Sequence, residues 1–168
     1  MKEFYVYEQC CSCVGSFRIE DANQLPILNA EGHCCMCVDD FSIVDYQGYE
    51  IARIQQDSCW SLYNYSIYRD DTKIASLHRE FTCCRKKFHV HSERGHYAIT
   101  GMMCDNRYRV ERGGDTLVAL ITRPFCCTLA CNRRVLVQMR DDEDALLLLC
   151  AAIVVCRILR RRAKRNNN

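Results

Sequence analysis

The sequence predicts a mainly β fold, a closed antiparallel barrel of about twelve strands around one buried carboxyl-terminal α-helix. Three observations predict it. Short runs of alternating apolar and polar residues recur along the chain, offset by about 24 residues from copy to copy. A turn signal rich in Gly, Asn or Asp follows each run. The only long apolar segment, Ala145 to Cys156, carries no polar face. With 168 residues the chain suits one domain, expected over residues 1–162, with residues 163–168 as a basic and polar tail. Apolar residues at 49% and charged ones at 26% exclude a disordered chain, and only two prolines and seven glycines exclude a linker-rich or collagen-like one.

The elements follow in order. An opening strand is expected near Phe4 to Gln9. Cys10, Cys11, Cys13 and Val14 then recur as Cys34, Cys35, Cys37 and Val38, and Phe17, Ile19 and Asp21 recur as Phe41, Ile43 and Asp45. Later copies carry Cys59, Tyr65 and Ile67, then Cys83, Cys84, Phe88 and Val90, then Cys104, Tyr108 and Val110. The last, with Cys126, Cys127, Val135 and Val137, runs into the helix. Each copy reads as a hairpin. Its first arm is Phe17–Glu20, Phe41–Val44, Tyr65–Tyr68, Phe88–His91 or Tyr108–Glu111, and its second arm holds a run such as Ile51–Ile54, Ile74–Leu77, Tyr97–Ile99 or Leu117–Ile121. The closing apolar run is shorter than the about 20 residues of a membrane span, so it reads as a helix that must be surrounded by protein. Asp141 to Asp144 precede it and Arg157, Arg160, Arg161 and Arg162 follow, both in the sense that favours a helix dipole. Closing the sheet around this helix removes open strand edges and covers every helical face at once.

The order and spacing of these segments resemble the LURP-one-related family, relatives of the tubby carboxyl-terminal domain and the phospholipid scramblases. The likeness spans about residues 4 to 162. It is carried by Phe17-Arg18-Ile19-Glu20-Asp21, Asp40-Phe41-Ser42-Ile43-Val44-Asp45, Glu50-Ile51-Ala52-Arg53-Ile54, Tyr97-Ala98-Ile99-Thr100-Gly101, and Asp141-Asp142-Glu143-Asp144-Ala145-Leu146-Leu147 ahead of the apolar run. The resemblance implies a twelve-stranded barrel around a central helix. The chain departs from the family pattern in its cysteine pairs, Cys10-Cys11, Cys34-Cys35, Cys83-Cys84 and Cys126-Cys127, which stand where the family has bulky apolar residues.

Fifteen cysteines are an odd number, so a fully paired disulfide framework cannot use them all. The first residues, Met1-Lys2-Glu3-Phe4-Tyr5, show no signal-peptide pattern, and the expected location is cytoplasmic, with membrane-peripheral attachment allowed. His33-Cys34-Cys35-Met36-Cys37, echoed by Cys10, Cys11 and Cys13, offers soft ligands suited to Zn(II) or Cu(I). The plainer reading makes these cysteines small buried hydrophobes, and no cofactor is then expected. His89 and His91 share one strand face, with His96 across a turn, so the three could hold a metal; without a nearby carboxylate, the plainer reading is a solvated strand face. No nucleophile elbow, phosphate-binding glycine loop or cysteine at a helix amino terminus is present, so the expectation is a protein that is not an enzyme.

A net charge of +2 excludes a strongly basic nucleic-acid binder, and no aromatic-interleaved basic face supports specific nucleic-acid recognition. The charge is nonetheless unevenly spread. The basic sets are Arg85, Lys86 and Lys87; Arg107 with Arg109 and Arg112; Arg133 and Arg134; and Arg160, Arg161 and Arg162 leading into the tail. Arginine forks suit phosphate, and the resemblance adds that tubby-like relatives bind phosphoinositides. The preferred expectation is therefore a membrane-peripheral module for anionic phospholipid or phosphoinositide headgroups. The alternatives are a soft-metal or thiol-redox protein using Cys10, Cys11, Cys13, His33, Cys34, Cys35 and Cys37, and a structural, self-associating or engineered scaffold with no small-molecule ligand.

Overall fold

The strands form where the alternation falls: β1 (Lys2–Gln9), β2 (Ser16–Asp21), β3 (Pro26–Gly32), β4 (Asp40–Asp45), β5 (Glu50–Gln56), β6 (Asn64–Arg69), β7 (Thr72–Glu80), β8 (Arg85–Ser92), β9 (Gly95–Met102), β10 (Arg107–Arg112), β11 (Thr116–Thr122) and β12 (Arg133–Met139). One helix, α1 (Ala145–Arg165), follows them. This is a computed structural model, and it describes all residues except 10–14, 34–37, 62, 83–84, 103–105, 124–132 and 166–168, together with the side chains of 102, 133 and 162–165.

Strands adjacent in sequence pair antiparallel, and β1 closes the ring on β12 through a register running from Lys2↔Met139 to Glu8↔Arg133. The repeat seen in the sequence has a structural counterpart. In four hairpins the register slips by one residue at the same point of the first arm: Ile19/Glu20, Ile43/Val44, Ile67/Tyr68 and Val110/Glu111. Such bulges sharpen local twist, and they help a flat ribbon curl into a cylinder.

Alternation divides each strand between wall and lumen. Phe17 and Ile19, Phe41 and Ile43, Ile54, Tyr65 and Ile67, Phe88 and Val90, Tyr97 and Ile99, and Val137 point inward and are buried. The helix supplies the rest of one continuous core, with Leu147 through Cys156, Ile158 and Leu159 all buried. It contacts β6 and β12, which stand on opposite sides of the ring, so α1 fills the lumen. No helix among the described residues is long and apolar enough to cross a membrane.

The four acids before the helix divide their work. Asp144 alone caps it, its carboxylate accepting from Leu147 N at 3.1 Å and its carbonyl from Leu148 N at 3.1 Å. Asp141 faces the Met1 ammonium (2.9 Å), Asp142 pairs with Arg140 (3.1 Å), and buried Glu143 holds Arg112 (2.8 Å) and the Tyr97 hydroxyl (3.0 Å). Two of the charges expected to act on the dipole, Asp141 and Glu143, instead tie the strand–helix corner to the barrel, and Asp142 pairs within the corner itself.

Candidate functional site

Because strands alternate in direction, the ends at Gln9, Gly32, Gln56, Glu80, Met102 and Thr122 share one rim, which is also the end where α1 emerges. The mouth at that rim is sealed by charge. Asp39, 3% exposed, sits just before β4 and accepts from Arg157 Nη2 (2.9 Å), Arg161 Nη2 (2.9 Å) and the Tyr65 hydroxyl (2.8 Å). Gln56 joins from β5, accepting from the Asp39 N–H and from Arg161 Nη1, each at 3.0 Å. Arg160 donates to Glu8 on β1. Burial and the Asp39 charge hold the Tyr65 hydroxyl far above the ordinary tyrosine range. Thus Arg160 and Arg161, expected from the sequence to meet phosphate, are engaged by acids of the chain itself. The side chains of Arg162 and Arg133 lie outside the described residues. Arg134 lies on the barrel wall with its guanidinium 3.6 Å from the centre of the Tyr5 ring.

The other basic residues separate by alternation. Lys86 points toward the mouth, its Nζ 3.5 Å from the Tyr108 hydroxyl. Arg85 and Lys87 face outward on β8, and Arg107 and Arg109 face outward on β10. Strand β9 lies between, with Lys87 opposite Thr100 and Thr100 opposite Arg109. Two strand spacings of about 4.8 Å separate the two basic rows, a distance that long side chains can close around one phosphate group. Lys87 pairs with Glu80 (3.0 Å) and Arg109 with Glu111 (3.1 Å). These are exposed contacts of the kind worth little in water, so an incoming phosphate can displace them. A shallow groove on β5 and β6 near the opposite rim, lined by Glu50, Arg53, Tyr68, Asp70 and Asp71, is acidic and opposes phosphate.

Beside the basic rows lies an array that the sequence showed only in part. His78 on β7 pairs across to His89, and His91 pairs across to His96. Four of the five histidines thus form a closed quadrilateral with ring centroids 5.1, 5.0, 4.7 and 5.3 Å apart around its edge. The sequence reading lacked a carboxylate for this group. Glu80 supplies one, with Oε2 2.6 Å from His89 Nε2, while His89 Nδ1 is 2.8 Å from His96 Nε2. Burial first, then neighbouring histidine charge, pushes His78 and His96 below the ordinary imidazole value. Three edges of the quadrilateral are stacked within 21° of parallel and the fourth, His91 with His96, is tilted by 37°; stacked rings do not aim their in-plane nitrogen lone pairs at a point between them. Among the described residues no group of three or more His, Cys, Asp or Glu is arranged to hold a metal ion.

The metal reading of Cys10, Cys11, Cys13, Cys34, Cys35 and Cys37 falls outside the described residues. His33 is described, and its Nε2 lies 2.7 Å from Ser42 Oγ, which in turn donates to Glu50 (2.5 Å). Of the described cysteines, Cys59 is exposed, while Cys150 and Cys156 are buried in the helix. Burial, with a smaller contribution from Asp144, pushes the Cys150 thiol up to about 12, and burial raises Cys156 as well. Neither is a reactive thiolate at neutral pH.

Two further residues escaped the sequence reading. Trp60 and Phe81 stand 92% and 74% exposed on the helix-exit rim. Their composition class gave no signal, because aromatic residues in strand-rich chains are usually core, and exposure depends on where a connection projects.

Ring, plug and outer basic wall define a class of protein: closed antiparallel barrels whose lumen is filled by their own carboxyl-terminal helix. Within that class the chain belongs to the LURP-one-related family, whose model matches residues 2–156. In structure it is similar to a protein of Arabidopsis thaliana solved by X-ray crystallography, with a TM-score of 0.59 and 12% identity over 90% of this chain and 89% of that one. That likeness is one of fold. No curated protein matches the chain in sequence.

Proposed function

We propose that the chain is a non-enzymatic, membrane-peripheral binding module for anionic phospholipid, phosphoinositides included, and that the outer face of β8 to β10 is its headgroup site. The observation that carries this reading is the alignment of Lys87 with Arg109 across Thr100 of β9, with Arg85 and Arg107 two residues further toward the helix-exit rim on the same outward faces. Guanidinium forks at two heights of the wall match the oxygens of a phosphate monoester or of neighbouring phosphodiesters. The resemblance to tubby-like domains points the same way. The reading shifts weight from Arg160 and Arg161 to this face, since Glu8 and Asp39 already occupy those guanidinium groups.

Flotation with phosphoinositide-containing and neutral vesicles tests it. At about 1 kcal/mol per basic residue near an anionic leaflet, Arg85→Ala, Arg107→Ala and Arg109→Ala together should lower binding roughly 100-fold. Binding by the unaltered chain should fall steeply with added salt. Equal flotation of the triple variant would remove the face from consideration.

A further inference from the structure

We infer that Trp60 and Phe81 form an aromatic wedge that enters an anionic bilayer, so that the barrel docks by its helix-exit rim with Arg85 at the headgroup level. The inference rests on the lipid-binding reading and adds how the protein is seated. Two neighbouring connections carry the wedge. Trp60 lies between β5 and β6, and Phe81 lies between β7 and β8. A backbone hydrogen bond from Arg79 N to Tyr63 O (3.3 Å) draws the two connections together.

Both tips are built to stay in place. The turn that presents Trp60 is fastened by Ser61 N donating to Ser58 Oγ (3.0 Å) and Gln56 Nε2 donating to Ser58 O (2.8 Å). Phe81 stands edge-on against Tyr63, with centroids 5.2 Å apart, and the guanidinium of buried Arg79 lies 5.2 Å from the Tyr63 ring and 5.6 Å from Phe81. Thr82 Oγ1 donates to the Arg85 carbonyl, which links the Phe81 tip to the first basic residue of the wall. The turn under Trp60 is thus tied at its base and the Phe81 ring is packed against Tyr63, while both rings are left in water, an arrangement that favours transfer of both to a less polar medium.

Shape and charge select the medium. The rings project into solvent from two connections and are not among the residues lining the groove on β5 and β6, a presentation that suits a deformable surface. Indole and phenyl groups beside arginine match the boundary between headgroups and acyl chains. The opposite rim carries Tyr46 and Tyr49, but among Asp45, Glu50, Asp70 and Asp71, charges that an anionic leaflet repels. The acids beside Tyr46 and Tyr49 contrast with Arg85, which follows Phe81 at the helix-exit rim.

The chain has one tryptophan, so its emission reports Trp60 alone. The test mixes the full chain with phosphatidylcholine vesicles, with and without phosphatidylserine, one set carrying brominated acyl chains. The inference expects a blue shift and bromine quenching with the phosphatidylserine vesicles. It also expects Phe81→Ala and Trp60→Ala each to weaken flotation at least roughly tenfold, with the folded far-ultraviolet spectrum kept. Flotation with unchanged Trp60 emission overturns the wedge and leaves the headgroup reading standing. Absence of flotation under all conditions overturns both. A shift that follows protein concentration without vesicles assigns the surface to a second copy of the chain and overturns the wedge.

Discussion

Asp39 illustrates how one side chain can fix an end of the molecule. It is buried, yet two arginines from α1, a tyrosine from β6 and a glutamine from β5 converge on it. Removing its charge leaves the Arg157 guanidinium, 15% exposed, against a neutral amide. Breaking a buried pair in this way typically costs about 3–5 kcal/mol, so Asp39→Asn should lower the urea midpoint by that amount of stability. Gly101 makes a different kind of fit. It lies opposite Tyr108, and a Cβ there would sit 2.5 Å from two atoms of the Tyr108 ring. The tyrosine can lie flat across the lumen wall because its partner has no side chain.

At the level of elements, β7, β8 and β9 set the pH response through the histidine array. For His78 and His96 the folded state binds a proton less readily than the unfolded chain, whose imidazoles titrate near 6.5. Stability is therefore greatest above that value and declines as pH falls through it, the loss levelling off below the folded values. Glu80 acts in a lower window. Hydrogen bonds from His89 and Lys87 depress its carboxyl, so its contribution is full above about 4.5 and disappears as pH falls through the depressed value. Urea midpoints measured between about pH 7 and pH 5 should fall for the unaltered chain, and the His78→Gln/His96→Gln variant should flatten that fall. An unchanged slope would exclude the array as its source.

These same elements show what a sequence can disclose. Alternation placed the hairpin arms, and it separates outward Arg85 and Lys87 from inward Lys86, because both properties belong to neighbouring residues. It could not supply partners. Glu80 sits on a different strand from His89, so the histidines read as lacking a carboxylate. The helix reads as an apolar run ending at Cys156 because Arg157 looks like a solvent residue. In the fold Arg157 meets Asp39, 118 positions earlier, and α1 continues to Arg165. The engagement of Arg160 by Glu8 spans 152 positions and was hidden for the same reason.

Taken whole, the molecule is a cylinder with its axis occupied, and its tolerance to change is set by the gap between wall and plug. Ala151 and Ala152 are fully buried near the middle of α1, where small side chains admit the wall closely. Ala152→Leu should therefore destabilise the protein by about 1–3 kcal/mol, the usual cost of overpacking, as read from thermal or urea unfolding. A gain in stability would mean that the lumen holds unfilled space there.

The placement of the plug also has a bearing on how the chain is made. During synthesis all twelve strands leave the ribosome before α1 does, and β1 must wait for β12, with Lys2 pairing to Met139. Until then each nascent hairpin has an uncovered apolar face and the growing sheet has open edges. Translation of α1 is thus the step that ends that exposure, and the cell's holding chaperones are the natural company of the strands that come before it.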